Sequence, residues 1–268
     1  NADDVYTFTF SYTNDKEAKL TFKHTFKNER VTAKISLQKQ DKETKKAVPQ
    51  GDATLEKAVY GLYAREDIVH PDGATGVIYE AGEQVATLTT DKNGQASVDG
   101  LYLGNYYVKE ITPPTGYLAD EEEHDLVCNY EGDFVAEVKR DCLSLEQVMK
   151  QPFEIIKAAN NGKTDADLLK GAGFTAYLVS SLTVKEDGSY DFGSAKPVVI
   201  GENGATEIFT DEKGYARSIA IPYGTYIVRE TTTPHNYTPV NDFIVQITEN
   251  HPTTPQVWRV LLDKEFEA

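Results

Sequence analysis

A seven-residue pattern, Gly-x-Tyr-x-Val-x-Glu, occurs at Gly104–Glu110 and recurs at Gly224–Glu230, displaced by 120 positions. Side chains alternate faces along a strand, so Tyr106, Val108 and Glu110 share one face, as do Tyr226, Val228 and Glu230. If the tyrosine and valine face a core, the glutamate faces it too. A buried carboxylate is costly unless it is paired or kept protonated. One inward glutamate can be an accident, whereas two in matching frames predict a device built twice. A turn repeats at the same displacement: Thr90-Asp-Lys-Asn-Gly94 and Thr210-Asp-Glu-Lys-Gly214.

Two units also suit the length, since 268 residues make about two domains of roughly 100–200 residues each. Tyr6, Phe8, Phe10 and Tyr12 alternate within residues 5–12, and Leu20, Phe22 and Phe26 follow a turn at 14–17. That predicts a hairpin over residues 1–30, read as the tail of a truncated preceding domain, because a lone two-stranded hairpin is marginal in water. The chain is accordingly read as an excised piece of something longer. The first unit is expected over 31–145 and the second over 146–268.

In the first unit Ala33, Ile35, Leu37 and Lys39 share a parity, which points an ammonium inward at the end of an apolar row. Strands are expected at 58–63, 85–90 and 95–98, and residues 104–117 read as one strand carrying its carboxylate to the edge of a turn. A final hairpin, 126–130 with 134–140, is expected around Glu131-Gly-Asp133. Residues 142–151 read as a linker, helical or extended. In the second unit Phe153, Ile155 and Lys157 repeat the inward lysine, Phe174–Val179 answers 58–63, and 243–248 and 256–262 close the unit. About seven short strands per unit, with turn signals between them and few helix signals, predict an all-β chain of tandem Greek-key or immunoglobulin-like sandwiches.

An inward lysine in each first strand and an inward glutamate in each later strand admit two readings. The plain one is a buried salt bridge that fixes register. The sharper one adds a carboxyl or carboxamide acceptor from the last strand. Burial lowers a lysine pKa and raises a glutamate pKa, so a neutral amine can attack the acceptor while the glutamate moves protons. The product is an intramolecular isopeptide bond, made once. Candidate acceptors are Asp141 and Asp263, each three residues after a valine. Asp263 shares a face with Val257 and Leu261, but Asp141 shares one with Glu137 and Lys139 and reads as exposed unless a bulge intervenes. Asn28, on the parity of Leu20, Phe22 and Phe26, would suit an acceptor closing the preceding domain.

Lys39-Gln-Asp-Lys-Glu-Thr-Lys45, Leu101–Glu110 with its trailing Pro113-Pro-Thr-Gly-Tyr117, and Ile221–Glu230 resemble the CnaB/SpaA-type modules of Gram-positive surface adhesins and pilins, over residues 31–268 in two copies. The resemblance implies prealbumin-like β-sandwiches, extracellular placement on the cell wall, and Lys–Asn or Lys–Asp isopeptide bonds assisted by the glutamate. Carried over, Lys39 and Lys157 are nucleophiles, Glu110 and Glu230 catalytic acids, and Asp141 and Asp263 acceptors. The family's usual acceptor is Asn, from which both aspartates depart. The second unit also has Pro234-His-Asn-Tyr237 in place of a Pro-x-Gly-Tyr ending.

Other features bound the function. A net charge of −16 argues against a nucleic-acid partner, whose footprint is a basic patch, and no run of about 18 apolar residues offers a membrane span. His24, His70, His124, His235 and His251 are dispersed without metal spacing, and Asp120–Glu123 reads as a solvated acidic loop sooner than a calcium site. No metal or cofactor is expected. Cys128 and Cys142 read as apolar fillers or as a disulfide stapling the last two strands. The expected function is a monomeric structural stalk or adhesin segment, not an enzyme beyond single-turnover self-crosslinking. Its partners are then neighbouring domains of the same chain. The alternatives are an adhesin region that uses loops 66–83 and 180–204 to contact an unnamed host protein or glycan, and a spacer module of a secreted enzyme.

Overall fold

The structure is a computed structural model that describes residues 7–9, 25, 28–159 and 167–261, the last four of these by backbone alone. Most of the expected hairpin over 1–30, and Asp263, lie outside the described residues.

The first module has seven principal strands. They are β1 (Thr32–Asp41), β2 (Val59–Ala64), β3 (Gln84–Thr89), β4 (Gln95–Leu101), β5 (Gly104–Thr112), β6 (Glu123–Cys128) and β7 (Glu137–Glu146). They form two sheets, ordered β4-β1-β7 and β3-β2-β5-β6. The second module repeats the plan with β8 (Phe153–Ala158), β9 (Gly173–Leu178), β10 (Glu207–Phe209), β11 (Tyr215–Arg217), β12 (Gly224–Thr232), β13 (Phe243–Ile247) and β14 (Gln256–Leu261). Its sheets are ordered β11-β8-β14 and β10-β9-β12-β13. Among the described residues helix is confined to two 3-10 turns, Val179–Ser181 and Glu202–Gly204.

In each module the first and last strands lie side by side and parallel. Lys39 is opposite Ser144 and Asp41 opposite Glu146; Lys157 is opposite Val260. The expected closing hairpin is therefore not formed. β6 pairs with β5 and β7 pairs with β1, so the two strands belong to different sheets, and the turn at 131–133 is a sheet-to-sheet crossing. Cys128 on β6 and Cys142 on β7 face the same core as buried free thiols, not as a disulfide.

Alternation in β1 sets the register. Ala33, Ile35, Leu37, Lys39 and Asp41 are buried while the intervening residues are partly exposed. Burying an Ile or Leu is worth about 1.5–3 kcal/mol, and a one-residue slip would bury Gln38 and Gln40 instead. Ile35 and Leu37 meet Tyr60, Leu62, Tyr106 and Val108 from the facing sheet. Tyr106 Oη donates to Tyr102 O at 2.6 Å, and Tyr226 Oη to Pro222 O at 2.7 Å. Each buried tyrosine thus satisfies its hydroxyl four residues back and stays locked into its strand.

The modules meet at residues 147–152 over a small third core of Ala53, Leu55, Tyr117 and Val148, with Tyr223 of the second module packed against it. Asp52 N–H donates to Tyr223 O at 2.9 Å, and Thr225 N–H donates to the Asp52 carboxylate at 3.0 Å. Gly51 has φ +61°, and a Cβ there would lie 2.2 Å from Tyr223 O. Only glycine lets the two backbones approach this closely.

Candidate functional site

Each module buries a lysine from its first strand against the glutamate of the repeated pattern. Lys157 Nζ donates to Glu230 Oε2 at 3.1 Å, and both side chains are fully buried. Lys39 Nζ lies 3.5 Å from Glu110 Oε1, again with both side chains sealed from water. The expected inward orientation of all four residues is met.

The same local devices position both lysines. Lys39 N–H donates to Gly94 O at 2.8 Å, and Lys157 N–H to Gly214 O at 2.7 Å. Both glycines have positive φ, and a Cβ on either would press on the lysine's own carbonyl oxygen, at 2.7 and 2.3 Å. Asp91 and Asp211 close the two turns by accepting backbone N–H groups, as Asx turns do. Each glutamate is fixed through a backbone donor ten residues on. Asp120 N–H donates to Glu110 Oε2 at 2.7 Å, and Val240 N–H to Glu230 Oε2 at 2.9 Å. The device is therefore copied down to its supporting hydrogen bonds.

Around the pair the modules differ. Opposite Glu110 on β2 stands Tyr60, whereas opposite Glu230 on β9 stands Phe174. Tyr60 Oη donates to Glu146 Oε1 at 2.5 Å and lies 3.0 Å from Ser144 Oγ, which donates to Asp120 Oδ2 at 3.1 Å. Asp120 is further held by His124 at 2.9 Å. Glu146 itself is 2% exposed, and its Oε2 is in contact with Lys39 Nζ. Two carboxylates thus converge on one ammonium. Lys39 Nζ, Glu110 Oε1 and Glu146 Oε2 are all buried without a hydrogen-bond partner.

Burial pulls the Lys39 ammonium down to about 8, against the opposing pull of Glu110. Burial pushes the Glu110 carboxyl up, against the Asp120 N–H bond and the lysine. Burial alone would raise Asp120 as well, but its bonds to His124, the Glu122 N–H and Ser144 outweigh that and hold it low. The trend for Lys39 and Glu110 favours a neutral amine beside a protonated acid, the pairing that nucleophilic attack on a carboxyl group requires.

The expected acceptor in the first module is not brought to its lysine. Asp141 is exposed on β7, opposite Ser36, three residues back from the register of Lys39. No bulge interrupts β7 against β1 to turn it inward, so parity leaves it in solvent. Glu146 was missed because residues 142–151 read as a linker, whereas β7 runs to Glu146. The available signal was parity: Val138, Cys142, Ser144 and Glu146 are all buried and even-numbered. Asn28 is exposed and outside any strand. Asp120, Glu122 and His124 hold ligand-type atoms within 4.8 Å of one another, but Asp120 and His124 already satisfy each other.

Two seven-stranded sandwiches in tandem, each with a buried lysine and glutamate bridging its sheets, define a class of repeated prealbumin-like module. The SpaA prealbumin-like fold domain matches residues 33–141 and 152–259, most of the chain, and the chain belongs to this family. Among solved structures, the TIE protein of Bacillus anthracis aligns over 88% of this chain and 34% of its own, with TM-score 0.53 and 22% identity. This chain therefore spans about a third of that protein. The minor pilin GBS52 of Streptococcus agalactiae aligns over 86% of this chain and 94% of its own, with TM-score 0.33 and 17% identity. The shaft pilin SpaA of Lactobacillus rhamnosus GG aligns over 88% and 99%, with TM-score 0.31 and 16% identity. No curated protein sequence matches the chain. Among the described residues no helix is long and apolar enough to cross a membrane.

Proposed function

We propose that this chain is a stalk segment of a Gram-positive cell-surface protein, in which each module is locked by a self-made isopeptide bond between its first and last strands. The observation that carries the reading is the duplicated, fully buried lysine–glutamate pair, held in both modules by the same turn glycine and the same backbone donor to the glutamate. An ion pair sealed from water gains little over apolar packing, so a stability role alone is a weak reason to build it twice. The bond fits a load-bearing role. β1 and β7, like β8 and β14, are adjacent and parallel, so tension drawn through the termini of a module shears that strand pair. A covalent bridge across it takes the load before the hydrogen-bond ladder does.

In this reading Lys39 and Lys157 are the nucleophiles, Glu110 and Glu230 move the protons, and Asp263, beyond the end of β14, accepts in the second module. The β14 alternation is no support for it, since Val257, whose parity it shares, is exposed and Lys157 lies opposite Val260. The partners are the neighbouring domains of the same polypeptide, and the placement is the cell wall. Mass spectrometry of the intact purified chain tests it. Each bond lowers the mass by one water, and Glu110→Ala or Glu230→Ala restores one water each. A wild-type chain at its full, uncondensed mass would leave only buried ion pairs and overturn the reading.

A further inference from the structure

We propose that Glu146, the last residue of β7, is the acceptor of the first module's bond, joined to Lys39 by an amide between Nζ and the glutamate Cδ. The proposal rests on the crosslinking reading above and assigns its missing partner. Register places Glu146 two residues beyond Ser144, which is opposite Lys39, so both side chains face the core about 7 Å apart along the strand direction. The lengths of Lys and Glu close that gap. Glu146 Oε2 touches Lys39 Nζ, and neither atom has a hydrogen-bond partner. The neighbouring inward carboxylate, Asp41, is by contrast occupied. It accepts from Tyr117, Gln50 and the N–H groups of Glu43 and Thr44.

The surroundings fit condensation. Tyr60 Oη donates to Glu146 Oε1 at 2.5 Å, which marks Oε1 as the future amide oxygen and polarises the carbonyl as charge develops on it. Oε2, facing the lysine, is the oxygen that leaves. Lys39 passes one ammonium proton to Glu110, and the freed amine attacks Cδ. A second proton leaves nitrogen as the tetrahedral centre collapses. Two protons and Oε2 depart as water, and Glu110 ends in the state in which it began. The step deletes one buried ammonium and one buried carboxylate, charges that are costly in an interior, and leaves Glu110 beside the new amide.

Peptide mapping of the wild-type chain tests the assignment. The expected product is a branched peptide joining Lys39 to Glu146, lighter than its two parts by one water. Glu146→Ala should leave Lys39 free while the second module's bond still forms, which shows that the chain has folded. Glu146→Gln should give a crosslinked chain of the same mass as crosslinked wild type, because ammonia leaves in place of water. Asp141→Ala should keep the bond. Lys39 found joined to any other residue overturns this assignment and leaves the crosslinking reading standing. Lys39 found free in the wild-type chain overturns both for this module.

Discussion

The two modules share a fold, a strand order and a lysine–glutamate pair, yet the pockets around the pairs are built from different chemistry. In the first, Tyr60, Ser144, Asp120 and Glu146 extend the pair into a buried polar network. In the second, the position of Tyr60 is taken by Phe174, and Val240 stands where Asp120 stands in the first, each offering its N–H to the glutamate. Lys157 makes a hydrogen bond to its glutamate, whereas Lys39 sits 3.5 Å from Glu110 and leans on Glu146. The glutamate of the repeated pattern is thus the fixed part of the device. Among the described residues, what each module varies is the side chains that surround that pair.

The largest effect should come from removing that glutamate. Breaking a buried pair by deleting one partner costs about 3–5 kcal/mol, because a charge is left uncompensated. Glu230→Ala should lower the stability of the second module by at least that order, because it also removes the crosslink. Glu110→Ala should cost the first module less, since the Asp120 carboxylate, in whose place the second module has Val240, still offsets the Lys39 charge. Denaturant unfolding of the two variants, with the modules followed by separate probes, reads the difference. Equal losses would mean that Asp120 contributes nothing to Lys39 and would break the contrast between the pockets.

Exchanging the aromatic residues probes the same contrast more finely. Tyr60→Phe removes the donor to Glu146 Oε1. Loss of one donor to a developing oxyanion costs about 10²–10³ in rate, so bond formation in the first module should slow by that order while the second is untouched. The reciprocal Phe174→Tyr brings a donor beside Glu230, whose Oε2 already accepts from Lys157 and Val240 but whose buried Oε1 has no hydrogen-bond partner. A hydroxyl that reaches Oε1 adds about 0.5–1.5 kcal/mol, seen as a higher unfolding midpoint for the second module. If Tyr60→Phe crosslinks at the wild-type rate, the phenol is packing and no more.

Much of this was legible in the sequence, for reasons that can be traced to single residues. Period-two alternation forces Glu110 to the side of Tyr106 and Val108, and Lys39 to the side of Leu37, and the 120-residue displacement showed that this was no accident. Alternation failed where the buried face stops being apolar. On β7 the inward row passes through Arg140, Ser144 and Glu146, so the strand reads as ending at 140 with a linker after it, and Asp141 stood out by its type and its place three residues after Val138. Pairing was also illegible. A three-residue turn between 126–130 and 134–140 has the look of a hairpin, but the parallel partnership of β7 with β1 joins residues more than a hundred positions apart. No local signal encodes that. The role of Asp120 was hidden for the same reason, since an acidic loop shows nothing of the Ser144 and His124 that fold onto it.

The smallest effect expected is on pH, and it separates two accounts of the chemistry. If amine deprotonation alone limited the reaction, the rate in the first module would rise with pH up to about 8, where Lys39 gives up its proton, and level off above it. With Glu110 as the shuttle, the proton it needs comes from Lys39, and the reactive arrangement is a rearrangement of protons within the ion pair. The rate is then flat while the pair keeps that proton. Lys39, with burial pulling it to about 8, gives it up above that pH, where the rate should fall about tenfold per pH unit. Chain collected unfolded from inclusion bodies and refolded into buffers between pH 6 and 10, as bounds set about two units either side of that value, gives the measurement. The Lys39 peptide is then followed over time. A rate that holds level beyond pH 9, about one unit above the same value, would remove Glu110 from the proton path and leave it a purely electrostatic partner of the lysine.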